Sequence, residues 1–120
     1  DVNTTRRAAG SGHLDCLNLL REFGAPMDER AVARAAKGGY LDCVKFLHES
    51  GCPHNMDACN RAAEYGHLDV LKYLREVARA SWNEWACRGA SRNGHLEVLK
   101  YLHSQGAPWA SYVPYPIESD

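Results

Sequence analysis

The chain repeats itself at a short period, and this limits its architecture more than any other feature. "SGHLDCLNLLREFGAP", "GGYLDCVKFLHESGCP", "YGHLDVLKYLREVARA" and "NGHLEVLKYLHSQGAP" are copies of one phrase. Their leading glycines, Gly12, Gly39, Gly66 and Gly94, are spaced by 27, 27 and 28 residues. An alanine-rich phrase precedes each copy: "RRAAGS", "ARAAKG", "NRAAEY" and "RGASRN". A unit this short cannot bury its own apolar face, so successive units must stack and cover one another.

Each unit reads as two helices. In the longer phrase Leu14, Leu17 and Leu20, or Leu68, Leu71 and Leu74, recur at threefold spacing with Cys16 or Val70 beside them. That spacing lays an apolar stripe along one side of a helix of about ten residues. Asp15, Asp42, Asp69 and Glu97 fall in the first turns, and Lys45, Lys72 and Lys100 follow three of them at i+3, which predicts ion pairs. Gly24, Gly51 and Gly106, each with a proline two residues on, end three of these helices. The third unit has Ala78 instead, plus one extra residue, which predicts a third outer helix about a turn longer. The alanine phrase is the second, inner helix, with Asn3 or Thr4, Asp28, and Asn55 or Asp57 available as N-caps. Its small pairs, Ala8-Ala9, Ala35-Ala36, Ala62-Ala63 and Ala90-Ser91, imply close packing by a neighbour.

Composition narrows the function. The formal charge is −1, which gives no bulk attraction to nucleic acid or an anionic membrane. No apolar run approaches the roughly 18 residues of a membrane helix. The opening "DVNTTRRAAG" has neither an initiating methionine nor a signal-peptide core, and reads as part of a longer or processed chain. Five cysteines is an odd number, unlike a secreted disulfide framework, and points to an intracellular compartment, cytoplasmic or nuclear.

Taken together, "AAxxGHLxxLxxLxxxGAP" resembles the ankyrin repeat over nearly the whole chain. The family's repeat is about 33 residues, and the missing residues fall between each outer helix and the next inner one, where the family carries a projecting β-hairpin. The "TPLH" opening is replaced by "RAVA", "DACN" and "WACR". This trimmed form is similar to arrays of some large DNA viruses and protists, where it is often joined to recruitment domains such as F-box segments. The resemblance implies an all-α, ankyrin-like helical-repeat solenoid of four helix pairs with reduced or absent hairpin fingers. We expect the array over residues 1–110, in units of about 1–25, 26–52, 53–80 and 81–108, and an extension over 111–120 that is either a cap or a disordered tail.

The stretch "GCPHNMDAC", residues 51–59, suggests a metal site, but repeat positions dissolve it. Cys16 and Cys43 align with Val70 and Val98, and Cys59 and Cys87 with Val32, so these four thiols are expected in the core. His13, His67 and His95 recur at one repeat position, with Tyr40 in the remaining copy; they are too far apart to share an ion and are expected to bond backbone between units. No nucleophile–base pair or phosphate loop emerges. We expect no enzyme activity, cofactor, metal or small-molecule substrate.

Arg7, Arg34 and Arg61 share one inner-helix position, with Lys37 and Arg92 one turn on. In ankyrin-like stacks this face lines a concave groove where partners dock. The inner-helix segments carry eight basic and five acidic side chains, which suits either a solvated mixed-charge face or a groove for an acidic partner. Arg7, Arg34, Lys37, Arg61, Tyr65, Trp85 and Arg92 are therefore the candidate contacts for a protein or peptide. Met27, His54, Trp82 and Trp109 are equivalent loop tips, with Trp85 and Tyr112 three residues beyond the tryptophans; they either anchor a partner or cover the seam between units. The expected function is a non-catalytic protein-interaction scaffold. The alternatives are a spacer within a longer array, or the substrate-recruiting module of a larger adaptor.

Overall fold

The computed structural model describes residues 2–108 and holds eight α-helices, with no strand among them. The inner helices are α1 (Val2–Gly10), α3 (Glu29–Gly38), α5 (Met56–Glu64) and α7 (Glu84–Arg92). The outer helices are α2 (Leu14–Glu22), α4 (Leu41–Glu49), α6 (Leu68–Glu76) and α8 (Leu96–Ser104). Each inner helix pairs with the outer helix that follows it, and the pairs stack in chain order into an elongated body. This is an all-α helical-repeat solenoid.

Side-chain size sets its shape. Ala35, Ala36, Ala58, Ala62, Ala63, Ala86 and Ala90 are buried where inner helices meet, so these helices lie close together. The outer helices meet less extensively, held apart by larger side chains. The stack therefore closes toward its inner helices. Between the layers Leu17, Leu47, Leu71, Leu74, Leu99 and Leu102 are fully buried. Each contributes about 1.5–3 kcal/mol of transfer free energy.

Capping follows the sequence in most places. Asp28, Asn55 and Asn83 accept the N–H groups of Arg30, Asp57 and Trp85 at 3.1, 3.0 and 2.9 Å. Asp28 also joins two units, because Arg6 donates to it at 2.6 Å and holds its carboxyl below the usual range. Asn60 donates to Asn83 at 2.9 Å in the equivalent place two units on. Gly24, Gly51 and Gly106 take the left-handed conformation expected of them. So do the glycines between inner and outer helices, and there a second demand applies. A Cβ on Gly39 would stand 2.5 Å from Nδ1 of His67, and one on Gly66 2.6 Å from Nδ1 of His95. The next unit's ring lies flush on the bare backbone, and His67 Nε2 is 2.9 Å from the Lys37 carbonyl.

Four expectations need correction. Asn3 and Thr4 are not caps, since α1 already includes them. The third outer helix is no longer than the others: α6 ends at Glu76, and the extra residue widens the turn instead. Without a glycine at 78, the left-handed residue moves to Arg79, with φ of 56°, and Ala80 N–H reaches back to the Leu74 carbonyl at 2.8 Å. Cys16 is exposed, unlike its equivalents Cys43, Val70 and Val98, because no described residue packs ahead of the first helix pair to cover it. Leu19 and Phe23, 52% and 81% exposed, share that end face. Finally, of the i,i+3 pairs only Lys100–Glu97 forms among the described residues, at 3.6 Å. Asp42 and Asp69 instead accept the N–H of Cys43 and Val70 at 2.7 and 2.8 Å.

The expected extension over 111–120, with Trp109 and Tyr112, lies outside the described residues.

Candidate partner-binding groove

Along the inner side, buried alanines form the floor and longer side chains stand on it. Three connected clefts result. The first is lined by Arg6, Arg7, Arg34, Lys37 and Tyr65, with Gly10, Ser11 and Gly38 between them. The second shares Arg34 and Lys37 with the first and adds Arg30, Asp57 and Arg61. The third shares Asp57 and Arg61 with the second and adds Glu64, Trp85, Arg88 and Arg92. Because neighbouring clefts share residues, they form one continuous groove from α1 to α7.

All seven candidate contacts lie in this groove, in two groups. Arg7, Arg34, Lys37 and Tyr65 meet in the first cleft, and Arg61, Trp85 and Arg92 in the third. Their electrostatics differ. Arg61 donates to Glu64 at 3.1 Å and lies 4.0 Å from Asp57. Lys37 stands 5.3 Å from the centre of the Tyr65 ring. Tyr65 is 42% and Trp85 50% exposed, and Arg88 stacks over the Trp85 ring at 4.4 Å. Arg88, Glu64 and Asp57 are groove residues that a search for repeated arginines passes over. The i,i+3 spacing of Arg61 and Glu64 was a usable signal; the Arg88–Trp85 stack needs the side-chain directions. Gly89 stands where Arg7, Arg34 and Arg61 do in the earlier units. Its Cβ would be 2.9 Å from Cβ of Glu64, so the closest approach of α7 to α5 excludes an arginine there.

The outer side is arranged differently, and the loop tips belong to it. Trp82 lies under the Arg75 guanidinium at 3.9 Å and meets the Tyr101 ring edge-on at 6.4 Å. Arg75 also donates to the Ala80 carbonyl at 2.8 Å, and Tyr101 donates to Glu76 at 2.8 Å. His48 lies between His54 and Tyr73, with ring centres 5.9 and 5.8 Å away. Met27 packs on the core. The described tips thus fold back over the seams between units. Lys45 and Lys72 stand over the Tyr73 and Tyr101 rings of the next unit, at 5.8 and 5.7 Å, rather than pairing with acids.

"GCPHNMDAC" is the hinge between the second and third units. Cys52 Sγ donates to the Asp28 carbonyl at 3.2 Å, and Cys59 Sγ lies 3.9 Å from the Ala80 carbonyl. Burial pushes the Cys43, Cys52 and Cys87 thiols up to about 11 and that of Cys59 to about 12, which keeps them protonated and unreactive near neutrality. Four of the five cysteines are buried, Cys52 among them, whereas Cys16 is not.

No helix among the described residues is long and apolar enough to cross a membrane. A comparison with curated proteins finds none that matches this chain. The family model for ankyrin repeats (3 copies) matches residues 6–84 and, shifted along the array, residues 34–111. Between them the matches span all four helix pairs apart from the start of α1. With the periodic sequence and the stacked pairs, this places the chain in the ankyrin-repeat family.

Proposed function

We propose that this protein is a non-catalytic scaffold that captures a protein partner in the groove along its inner helices, with the short loops at the rim. Ankyrin repeats are generally protein-interaction modules, and the finer assignment rests on one contrast. On the inner side Arg34, Lys37, Tyr65, Trp85 and Arg92 stand exposed along one continuous groove. The outer tryptophan and tyrosines are engaged within the fold. A rigid repeat stack loses little conformational entropy on docking, so exposed Arg and aromatic side chains in a groove are well suited to dominate affinity. The buried, protonated thiols fit a reducing intracellular setting.

The test is affinity capture with the folded chain followed by mass spectrometry, repeated with Arg34→Glu and Arg61→Glu combined. Both side chains are at least partly exposed, so the variant is expected to fold, and its circular dichroism spectrum is the check. The reading expects the captured set to be lost. An unchanged set would mean that the groove is not the docking surface and that the units act as a spacer.

A further inference from the structure

The groove is uneven in charge, and the unevenness follows equivalent positions on neighbouring helices. On α5, Arg61 is followed at i+3 by Glu64, and the two are paired. On α3 the same two positions hold Arg34 and Lys37, a like-charge i,i+3 pair that weakens an isolated helix. Arg7 on α1 joins them in the first cleft. Arg6 in that cleft is taken by Asp28, but Arg7, Arg34 and Lys37 have no acidic partner among the described residues. All three are exposed, and no acid among the described residues lines this cleft. Gly10 and Gly38 keep its floor low between the cations. A stack selected for stability alone would alternate charge here, as α5 does.

We infer that the first cleft selects an acidic side-chain pair, two neighbouring carboxylates on an extended segment of the partner protein, and that the third cleft takes an apolar or aromatic side chain of the same segment against Trp85. The occupant is a peptide rather than a nucleic acid because the basic character is local. Asp57 and Glu64 line the adjoining clefts and would repel a strand with a phosphate on every residue. Two helix-packing steps separate α3 from α7, about 16–20 Å, which an extended chain covers in roughly six residues. The carboxylates and the apolar residue should therefore stand about six positions apart. Guanidinium groups suit this recognition because they bind carboxylates through two parallel hydrogen bonds.

This inference rests on the groove being the docking surface, and the experiment separates the two. The probe is the peptide acetyl-Glu-Glu-Gly-Ser-Gly-Ser-Gly-Trp-amide, titrated into the isotopically labelled chain and followed by NMR. Its Gln-Gln counterpart and a single-stranded oligothymidine of similar length are the controls. The expected result is movement of the Ser11, Arg34, Lys37 and Gly38 signals with the acidic probe, and binding about tenfold weaker for the Gln-Gln probe. Arg34→Gln with Lys37→Gln should abolish that difference. Arg61→Gln, whose charge is already neutralised, should change acidic-probe affinity less than about twofold. Trp85→Ala should weaken both peptides alike.

Equal binding of the two peptides in the groove would overturn the charge selection while leaving the groove in place. Signals moving on α4 or α6 instead, or no movement with either peptide, would overturn both. Tighter binding of the oligothymidine than of the acidic peptide would overturn the choice of a peptide occupant.

Discussion

Trp82 and Trp85 are three residues apart at one junction and point to different destinies. Trp82 turns outward and back, wedged between Arg75 and Tyr101, where it seals the seam between the third and fourth units. Trp85 lies in the first turn of α7 and stays half exposed in the groove. The same contrast runs along both sides of the stack. On the outer side Lys45 and Lys72 lie on the rings of the next unit, so Tyr73 and Tyr101 join one unit to another. Inner cations are paired with acids, as at Arg6 and Arg61, set over an exposed ring, as at Lys37, or left without an acidic partner among the described residues, as at Arg34. Large side chains on the outer side hold the array together, whereas on the inner side alanines do so and the large side chains are left available.

The sharpest way to break this comparison is to truncate the two tryptophans separately. Trp82→Ala is expected to destabilise the fold by about 3 kcal/mol, as loss of a packed aromatic does. Trp85→Ala is expected to cost less than about 1 kcal/mol. Urea unfolding of both variants checks this, and equal losses would remove the distinction between the two sides.

A smaller effect is expected at the turn that delivers Trp82 to the seam. Arg79 holds a left-handed conformation that glycine adopts freely. Arg79→Gly should therefore raise stability by about 1 kcal/mol in the same assay. If stability falls, Arg79 contributes contacts that outweigh its strain.

The smallest effect is the contribution of Tyr101 in alkali. Burial first, and then the hydrogen bond to Glu76, raise its hydroxyl from 10.0 to about 12. A group whose folded value lies above its unfolded one gives its full stabilisation below pH 10 and loses it as pH rises toward 12. The buried thiols, raised from 9.0 to about 11 or 12, act in the same direction from a lower onset. Thermal melts should fall steadily above about pH 9. Tyr101→Phe should remove the tyrosine's share of that fall and leave the thiols' share. An identical pH profile for the variant would show that Tyr101 contributes nothing to that fall.

Much of this was legible in the sequence. The period, the two helices per unit and the left-handed cap glycines follow from residue spacing, and the loss of the hairpin from setting that spacing beside the ankyrin repeat the chain resembles. The inner-helix position of Arg7, Arg34 and Arg61 was readable for the same reason. What escaped depends on a residue's place in the stack or on side-chain direction. Cys16 aligns with buried residues, but alignment cannot convey that nothing described lies over its end of the array. Lys45 and Lys72 have acids at the right helical spacing, yet the rings of the next unit compete for them. At position 78 the absence of a glycine suggested a longer helix, while the chain accepted one strained residue at Arg79 and kept the helix length unchanged. The pairing of Arg61 with Glu64 was visible as a spacing, but its meaning emerged only beside the unpaired Arg34 and Lys37.

The most direct test of the central claim uses the four lysines of the chain. Lys37 stands in the groove, while Lys45, Lys72 and Lys100 stand on the outer helices. Acetylation footprinting of the chain, free and with a captured partner, reads all four at once by mass spectrometry. The account expects Lys37 to be protected by the partner and Lys45, Lys72 and Lys100 to stay reactive. Protection of the outer lysines with Lys37 still reactive would contradict it.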